Sequence, residues 1–253
     1  MRRPLVMGNW KMNGSLVANQ ALLDALAPVA TECSGIDIAV CPSHIYLPQV
    51  SSICEGSAIQ VGAQNMCDQD KGAFTGEVSA EMLRDFDINY VLVGHSERRA
   101  IYGETDVQVA AKVEKALQKG LVPVLCVGET LEERKSGDMQ QVIETQIRAV
   151  LQHSTIKAFA QLVVAYEPVW AIGTGETATP EQAQEVHAFI RDLLAQESAE
   201  IAARTTILYG GSVSAANADA LFAMPDVDGG LVGGASLKAG DFAAICRAAQ
   251  GSL

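Results

Sequence analysis

The stretch LVVAYEPVWAIGTGETATPEQAQEVHAFIRDLLAQ, residues 162–196, carries one whole structural unit with its punctuation. Leu162 to Tyr166 are apolar without alternation, as a strand covered on both faces requires. Glu167-Pro168 stops that run, and an apolar loop bracketed by proline and glycines follows. Thr179-Pro180-Glu181-Gln182 then signs a helix start: a capping threonine, proline at the first helical position, and Gln182 placed to close a capping box. Beyond it Ala183, Val186, Ile190 and Leu193 recur every three or four residues, the stripe of an amphipathic helix.

The same unit repeats in both directions. Apolar runs stand at LVMGNW (5–10), DIAVCP (37–42), IQVGA (59–63), YVLVGH (90–95), LVPVLCVG (121–128), TILYGG (206–211) and DGGLVGG (228–234). Between them lie helical stripes, such as Leu22, Leu23, Leu26 and Val29 after Ser15. Val142, Ile143, Ile147, Val150 and Leu151 draw another, and Phe242, Ile245 and Cys246 a third. Eight strand–helix units can form an open doubly wound sheet or a closed barrel. Eight in 253 residues, with no proline- or glycine-rich linker, predict an α/β fold of the closed (βα)8 type, one domain over 1–253.

Composition narrows the function classes. Nearly half the residues are hydrophobic, and 18 basic against 30 acidic residues leave a net charge of −12. That excludes a disordered chain, and it argues against nucleic acid or an anionic membrane as a partner. A small anionic substrate needs only local donors and stays allowed. No apolar stretch approaches the ~20 residues of a membrane span. The segment after Arg2 and Arg3 is too short for a signal peptide. Cys33, Cys41, Cys54, Cys67, Cys126 and Cys246 are scattered without a CxxC pair, which predicts reduced core thiols and a cytoplasmic protein.

In a barrel the chemistry sits where chains leave the carboxyl ends of strands. There the sequence places Asn9-Trp10-Lys11, Gly94-His95-Ser96-Glu97-Arg98, Tyr166-Glu167-Pro168, Gly210-Gly211-Ser212 and Gly233-Gly234. Glu167 reads either as a cap or surface charge, or as a general base whose pKa rises if closure desolvates it. His95 is a structural histidine, or a ring kept neutral by the start of a helix that Ser96 is expected to cap, and able to polarise a carbonyl. Lys11 offers a cation to an anion or a developing oxyanion, with Asn9 beside it. Glu97 pairs with Arg98, or steadies Lys11 or His95. The hydrophobic Val169 to Gly175 segment is a water-excluding lid or a buried contact. His44, His153 and His187 read as structural, His187 on a helical flank.

Two glycine pairs leaving the last two strands, with Ser214 and Ser236 expected to open helical segments, predict a phosphate cradle. Gly173-Thr174-Gly175-Glu176-Thr177-Ala178 matches a dinucleotide fingerprint in letters only, since it leaves no strand directly. No Walker sequence, HExxH or Cys/His cluster occurs, so no cofactor and no metal are expected.

Taken together these residues resemble the triosephosphate isomerase family. The likeness runs from Gly8-Asn9-Trp10-Lys11-Met12-Asn13 to Val232-Gly233-Gly234-Ala235-Ser236-Leu237. Between them it includes Gly94-His95-Ser96-Glu97-Arg98-Arg99, Ala165 through Gly175, and Tyr209-Gly210-Gly211-Ser212-Val213. The resemblance implies a TIM barrel and a cofactor-independent aldose–ketose isomerase. Its reaction would interconvert dihydroxyacetone phosphate and D-glyceraldehyde 3-phosphate through an enediolate, in glycolysis and gluconeogenesis. It makes Glu167 the base and His95 the neutral electrophile, a division of labour already known for that family. It gives Lys11 and Asn9 substrate binding and enediolate stabilisation, and Glu97 a supporting catalytic role. It assigns the backbone amides of Gly173, Ser212, Gly233 and Gly234 to the phosphate, and Pro168 to about Ala178 to a mobile lid. It also implies a homodimer in which the loop Gln64 to Glu77, containing Thr75, inserts near the partner's lysine. Glu176, where the family commonly has lysine, and Gly229-Gly230 are departures bearing on mobility. Two alternatives stand beside it. A Schiff-base aldolase or a related synthase would want a lysine within a middle strand, whereas Lys112, Lys115 and Lys119 fall in a helical segment. A non-catalytic phosphometabolite binder would need neither Glu167 nor His95.

Overall fold

The structure, a computed structural model, describes residues 2–172 and 177–252. Eight strands run in chain order: β1 (Leu5–Asn9), β2 (Asp37–Cys41), β3 (Ile59–Ala63), β4 (Tyr90–Val93), β5 (Val122–Val127), β6 (Val163–Tyr166), β7 (Thr206–Tyr209) and β8 (Gly229–Val232). Each pairs in parallel with the next, and β8 closes on β1 with Leu5 opposite Gly229. The predicted closed barrel is the observed one.

Helices ring it. They are α1 (Leu16–Glu32), α2 (Leu47–Cys54), α3 (Ala80–Arg84), α4 (Ser96–Tyr102), α5 (Asp106–Gln118), α6 (Leu131–Ser136), α7 (Met139–Ser154), α8 (Pro180–Glu197), α9 (Ala199–Arg204), α10 (Ala218–Phe222) and α11 (Ala239–Gly251). The unbroken apolar runs now have their reason. Alternate strand residues such as Leu5, Met7, Cys41, Leu92, Cys126 and Leu208 fill the barrel, while Val6, Val40, Val91 and Leu125 pack outward under the helices. Neither face meets water.

Local chemistry fixes the element ends. Thr179 accepts from the Gln182 backbone N–H, and Gln182 reaches back to the Thr179 N–H, the reciprocal box expected at the start of α8. The strands stop one or more residues short of most of the apolar runs, because the chain turns into the mouth there. β4 ends at Val93 because Gly94 has φ +71°, where a Cβ would also press on Val109. That turn delivers His95 to the mouth.

His187 is a correction: it lies within the buried stripe of α8, fully enclosed, not on its flank. Its Nδ1 sits 3.0 Å from the Asp226 carbonyl, and its ring meets Tyr166 edge-on at 5.9 Å between centroids. Burial lowers its pKa from 6.5 to about 4. The unfolded chain therefore binds this proton first as pH falls. Stability should decline between roughly pH 6.5 and 4, by about 3 kcal/mol at most from this group, and be unaffected by it above that window. Urea unfolding at pH 7.5 and pH 5 checks this: His187→Gln should flatten the pH dependence relative to the parent.

Candidate active site

The barrel brings the predicted residues to one mouth. Asn9, Lys11, His95, Glu167, Ser212, Gly233 and Gly234 all line a single cavity of about 240 Å³, together with Ile172 and Gly210-Gly211. Gly173 lies outside the described residues, as do Thr174, Gly175 and Glu176.

Glu167 follows β6 and is buried. A carboxylate out of water needs donors, and it has two. His95 Nε2 lies 2.8 Å from Oε1, and the Ser96 backbone N–H donates to Oε2 at 2.9 Å. Burial pushes the carboxyl pKa up, but the His95 ring, the Ser96 N–H and the Lys11 charge outweigh it and hold the group below its usual value. The expected rise is thus absent from this arrangement; it needs those donors to be given up.

Ser96 is not the cap of α4 but its first residue. The cap is His95, whose Nδ1 accepts from the Glu97 N–H at 3.2 Å. Burial disfavours the imidazolium, yet the charge and hydrogen bond of Glu167 and the charge of Glu97 prevail and raise the ring's pKa. That rise belongs to the Glu167 contact. The N–H aimed at Nδ1 requires a lone pair there, which selects a neutral ring carrying its hydrogen on Nε2.

Lys11 projects from the end of β1, and its Nζ lies 2.6 Å from Glu97 Oε1. Glu97 therefore steadies Lys11 and does not pair with Arg98, which turns to Glu104 instead. Asn9 orients the lysine through its backbone: Oδ1 accepts the Lys11 N–H at 3.0 Å. Across the cavity, a short 3-10 turn starts at Gly234, and its first N–H groups lack intrahelical partners. Ser236 sits inside that turn and Ser214 precedes α10 by several residues, so neither opens a helix as expected. The Ser212 hydroxyl donates to the Ala171 carbonyl at 2.6 Å, joining the β7 loop to the apolar loop after β6.

Two glycines make room for Glu167. A Cβ on Gly128 would overlap the Glu167 carbonyl, and one on Gly210 would lie 2.9 Å from Glu167 Cγ. Among the described residues no group of three or more His, Cys, Asp or Glu is placed to hold a metal.

A family model described as triosephosphate isomerase matches residues 4–249. The triosephosphate isomerase of Thiobacillus denitrificans is 59% identical over 249 residues, covering 98% of this chain and 99% of that protein. That of Dechloromonas aromatica is 57% identical over 250 residues, covering 99% and 100%. That of Nitrosococcus oceani is 52% identical over 249 residues, covering 98% and 100%. The chain belongs to the triosephosphate isomerase family.

One buried carboxylate is not among the residues expected from the sequence. Glu129, two residues past β5, is fully buried and accepts from Tyr166 Oη (3.1 Å), Trp170 Nε1 (2.9 Å) and Arg134 Nη1 (3.1 Å). Its carbonyl accepts the Val169 N–H at 3.1 Å. It thereby ties the stem of the loop after β6 to the neighbouring strand. Glu129 bears the same mark in the sequence as His95 and Glu167, a polar or charged residue just past a strand end.

The glycine at 210 yields a test. Gly210→Ala should displace the Glu167 side chain, since the added Cβ meets Glu167 Cγ first and none of its three nearest atoms belongs to Ser212, Gly233 or Gly234. A misplacement of this kind is worth about tenfold to a hundredfold in kcat. KM should move less than threefold, an estimate from binding that the change leaves largely intact; steady-state kinetics in both directions read both values.

Proposed function

We propose that Glu167 is the general base, and Lys11 and His95 the electrophiles, by which this triosephosphate isomerase interconverts dihydroxyacetone phosphate and D-glyceraldehyde 3-phosphate. The observation that carries the assignment is the 2.8 Å approach of the His95 ring to the Glu167 carboxylate beside Lys11, on one cavity. Phosphate binding alone calls for none of these three together.

Both Glu167 oxygens are occupied in the unliganded site, so abstraction begins with release from the Ser96 N–H and a turn toward the cavity. Leaving those donors behind lifts the restraint on its pKa, and burial then makes it a stronger base. Glu167 takes a proton from the carbon beside the ketone. The electron pair moves onto the carbonyl oxygen, giving an enediolate. Lys11 offsets that charge, and neutral His95 donates from Nε2 and passes protons between the two oxygens. Glu167 then returns its proton to the neighbouring carbon. The sum is an internal redox exchange that uses no external oxidant or reductant.

The segment from Pro168 to about Ala178 is the lid in this reading. Its apolar residues exclude water, and an enediolate left uncovered would expel phosphate. Asn9 and Glu97 hold Lys11 in place, while the amides of Gly173, Ser212, Gly233 and Gly234 take the phosphate. An isomerase assay on the purified chain, coupled to a dehydrogenase, tests the function as a whole. For the base itself, Glu167→Asp withdraws the carboxylate by one methylene. Turnover should fall by roughly 10²-fold or more, with affinity for 2-phosphoglycolate little changed. A variant within threefold of the parent would remove Glu167 from the chemistry.

The second element is a homodimer. Met12 and Tyr102 are exposed and border a cavity of about 530 Å³ that also reaches Lys11, His95 and Glu97. Phe74, in the long loop after β3, is exposed as well. Such apolar surface beside a catalytic lysine is best explained by a partner's loop lying over it. Sedimentation at micromolar concentration should give about twice the 26.7 kDa chain mass. A species of one chain mass throughout that range would refute the dimer. We assign the enzyme to the cytoplasm, with no nucleic acid or membrane partner. Six unpaired, buried cysteines support a reducing compartment.

A further inference from the structure

Lys11 has φ +51°, a left-handed backbone shared among the described residues by only two other non-glycine positions, Asp87 and Thr155. A lysine stays there only where its surroundings over-determine it. Two donors meet its carbonyl. Ser43 Oγ donates at 2.9 Å, and Gln64 Nε2 donates at 2.8 Å while also reaching the Cys41 carbonyl at 2.9 Å. They come from different strand ends: Ser43 from the loop after β2, Gln64 from the residue after β3.

Ser43 is placed for a different task. It flanks the 3-10 turn His44–Tyr46, where a serine hydroxyl ordinarily accepts from a turn N–H. It caps nothing there and faces Lys11 instead. Every residue from Met12 to Ala18 is exposed, and the chain is held next where Asn13 donates to the Trp10 carbonyl and Tyr46 Oη to the Gly14 carbonyl. Neither contact reaches the Lys11 carbonyl, so freeing it lets the lysine backbone relax and carry Nζ away from Glu97.

We propose that Ser43, acting with Gln64, is a positioning residue for the isomerase reaction: it holds Lys11 in the strained backbone that aims its ammonium group into the mouth. This rests on the reading of Lys11 as the cation that meets the substrate. Because Lys11 meets an anion already in the bound state, the effect falls mainly on KM.

The test is kinetics and calorimetry on Ser43→Ala, Ser43→Thr and the double variant Ser43→Ala with Gln64→Met. Losing one hydrogen bond of ordinary strength should raise KM, and weaken 2-phosphoglycolate binding, by about fivefold. In the single alanine variant kcat should stay within about twofold, and threonine, which keeps the hydroxyl, should restore KM to within about twofold. The double variant should lose about twentyfold or more, since no side chain then holds the carbonyl. Crystals of it should show Lys11 outside the left-handed region. Parental KM and affinity in the double variant would overturn the proposal. So would a loss that threonine fails to restore, or one accounted for by unfolded protein while the folded fraction behaves as the parent. An inactive parent chain would refute the reading of the site. An active parent with indifferent Ser43 variants would refute this proposal alone.

Discussion

A carboxylate taken out of water must be met by donors, and the site is organised around meeting that of Glu167. Its oxygens are held by a ring nitrogen and a backbone N–H that both belong to the start of α4, while its own backbone continues β6. The charge thus couples two strand ends that are not neighbours in the barrel. It also explains why the strand between them ends in glycine, since a side chain on Gly128 would occupy the path of the Glu167 main chain. The same contact acts on both groups: it lowers the pKa of the carboxyl and raises that of the ring.

A second charge is managed by a different device. Lys11 has one carboxylate partner, Glu97, and both groups are partly exposed, so that pair alone gives little rigidity. Its orientation comes from the backbone, fixed in a sparsely populated conformation by Asn9, Ser43 and Gln64. Strain accumulates here, in loops, whereas the strands beneath carry none of the positive-φ non-glycine residues. A barrel with both faces of its strands buried tolerates such local cost, because its stability rests on a core built mainly from strands and helices.

How much of this could be read from letters follows from which interactions are periodic. The strands and α8 were legible because burial on two faces and on one stripe each leave a repeat, and the capping box leaves a fixed offset. Lys11, His95 and Glu167 were legible because a charged or polar residue directly after an apolar run breaks the pattern. Which residue actually capped α4 was not, since His95 and Ser96 are adjacent and both able to do it. Ser43 and Gln64 act by side chains reaching across to another strand end, at separations that no local spacing encodes. His187 was misplaced for a related reason. Its position at Ala183 plus four fits the buried stripe, yet its polarity argued for the flank, and only the Asp226 carbonyl from a distant loop resolves the conflict.

The net charge of −12 and an anionic substrate are reconciled by distance. At physiological ionic strength fields fade over about 8 Å, so surface carboxylates on the far sides of the helices barely register within the mouth. Within the mouth Lys11 lines the same cavity as Gly210-Gly211 and Gly233-Gly234, strand ends that carry no side-chain bulk. The attractions they offer are short-range, effective in a partly closed cavity and weak outside it.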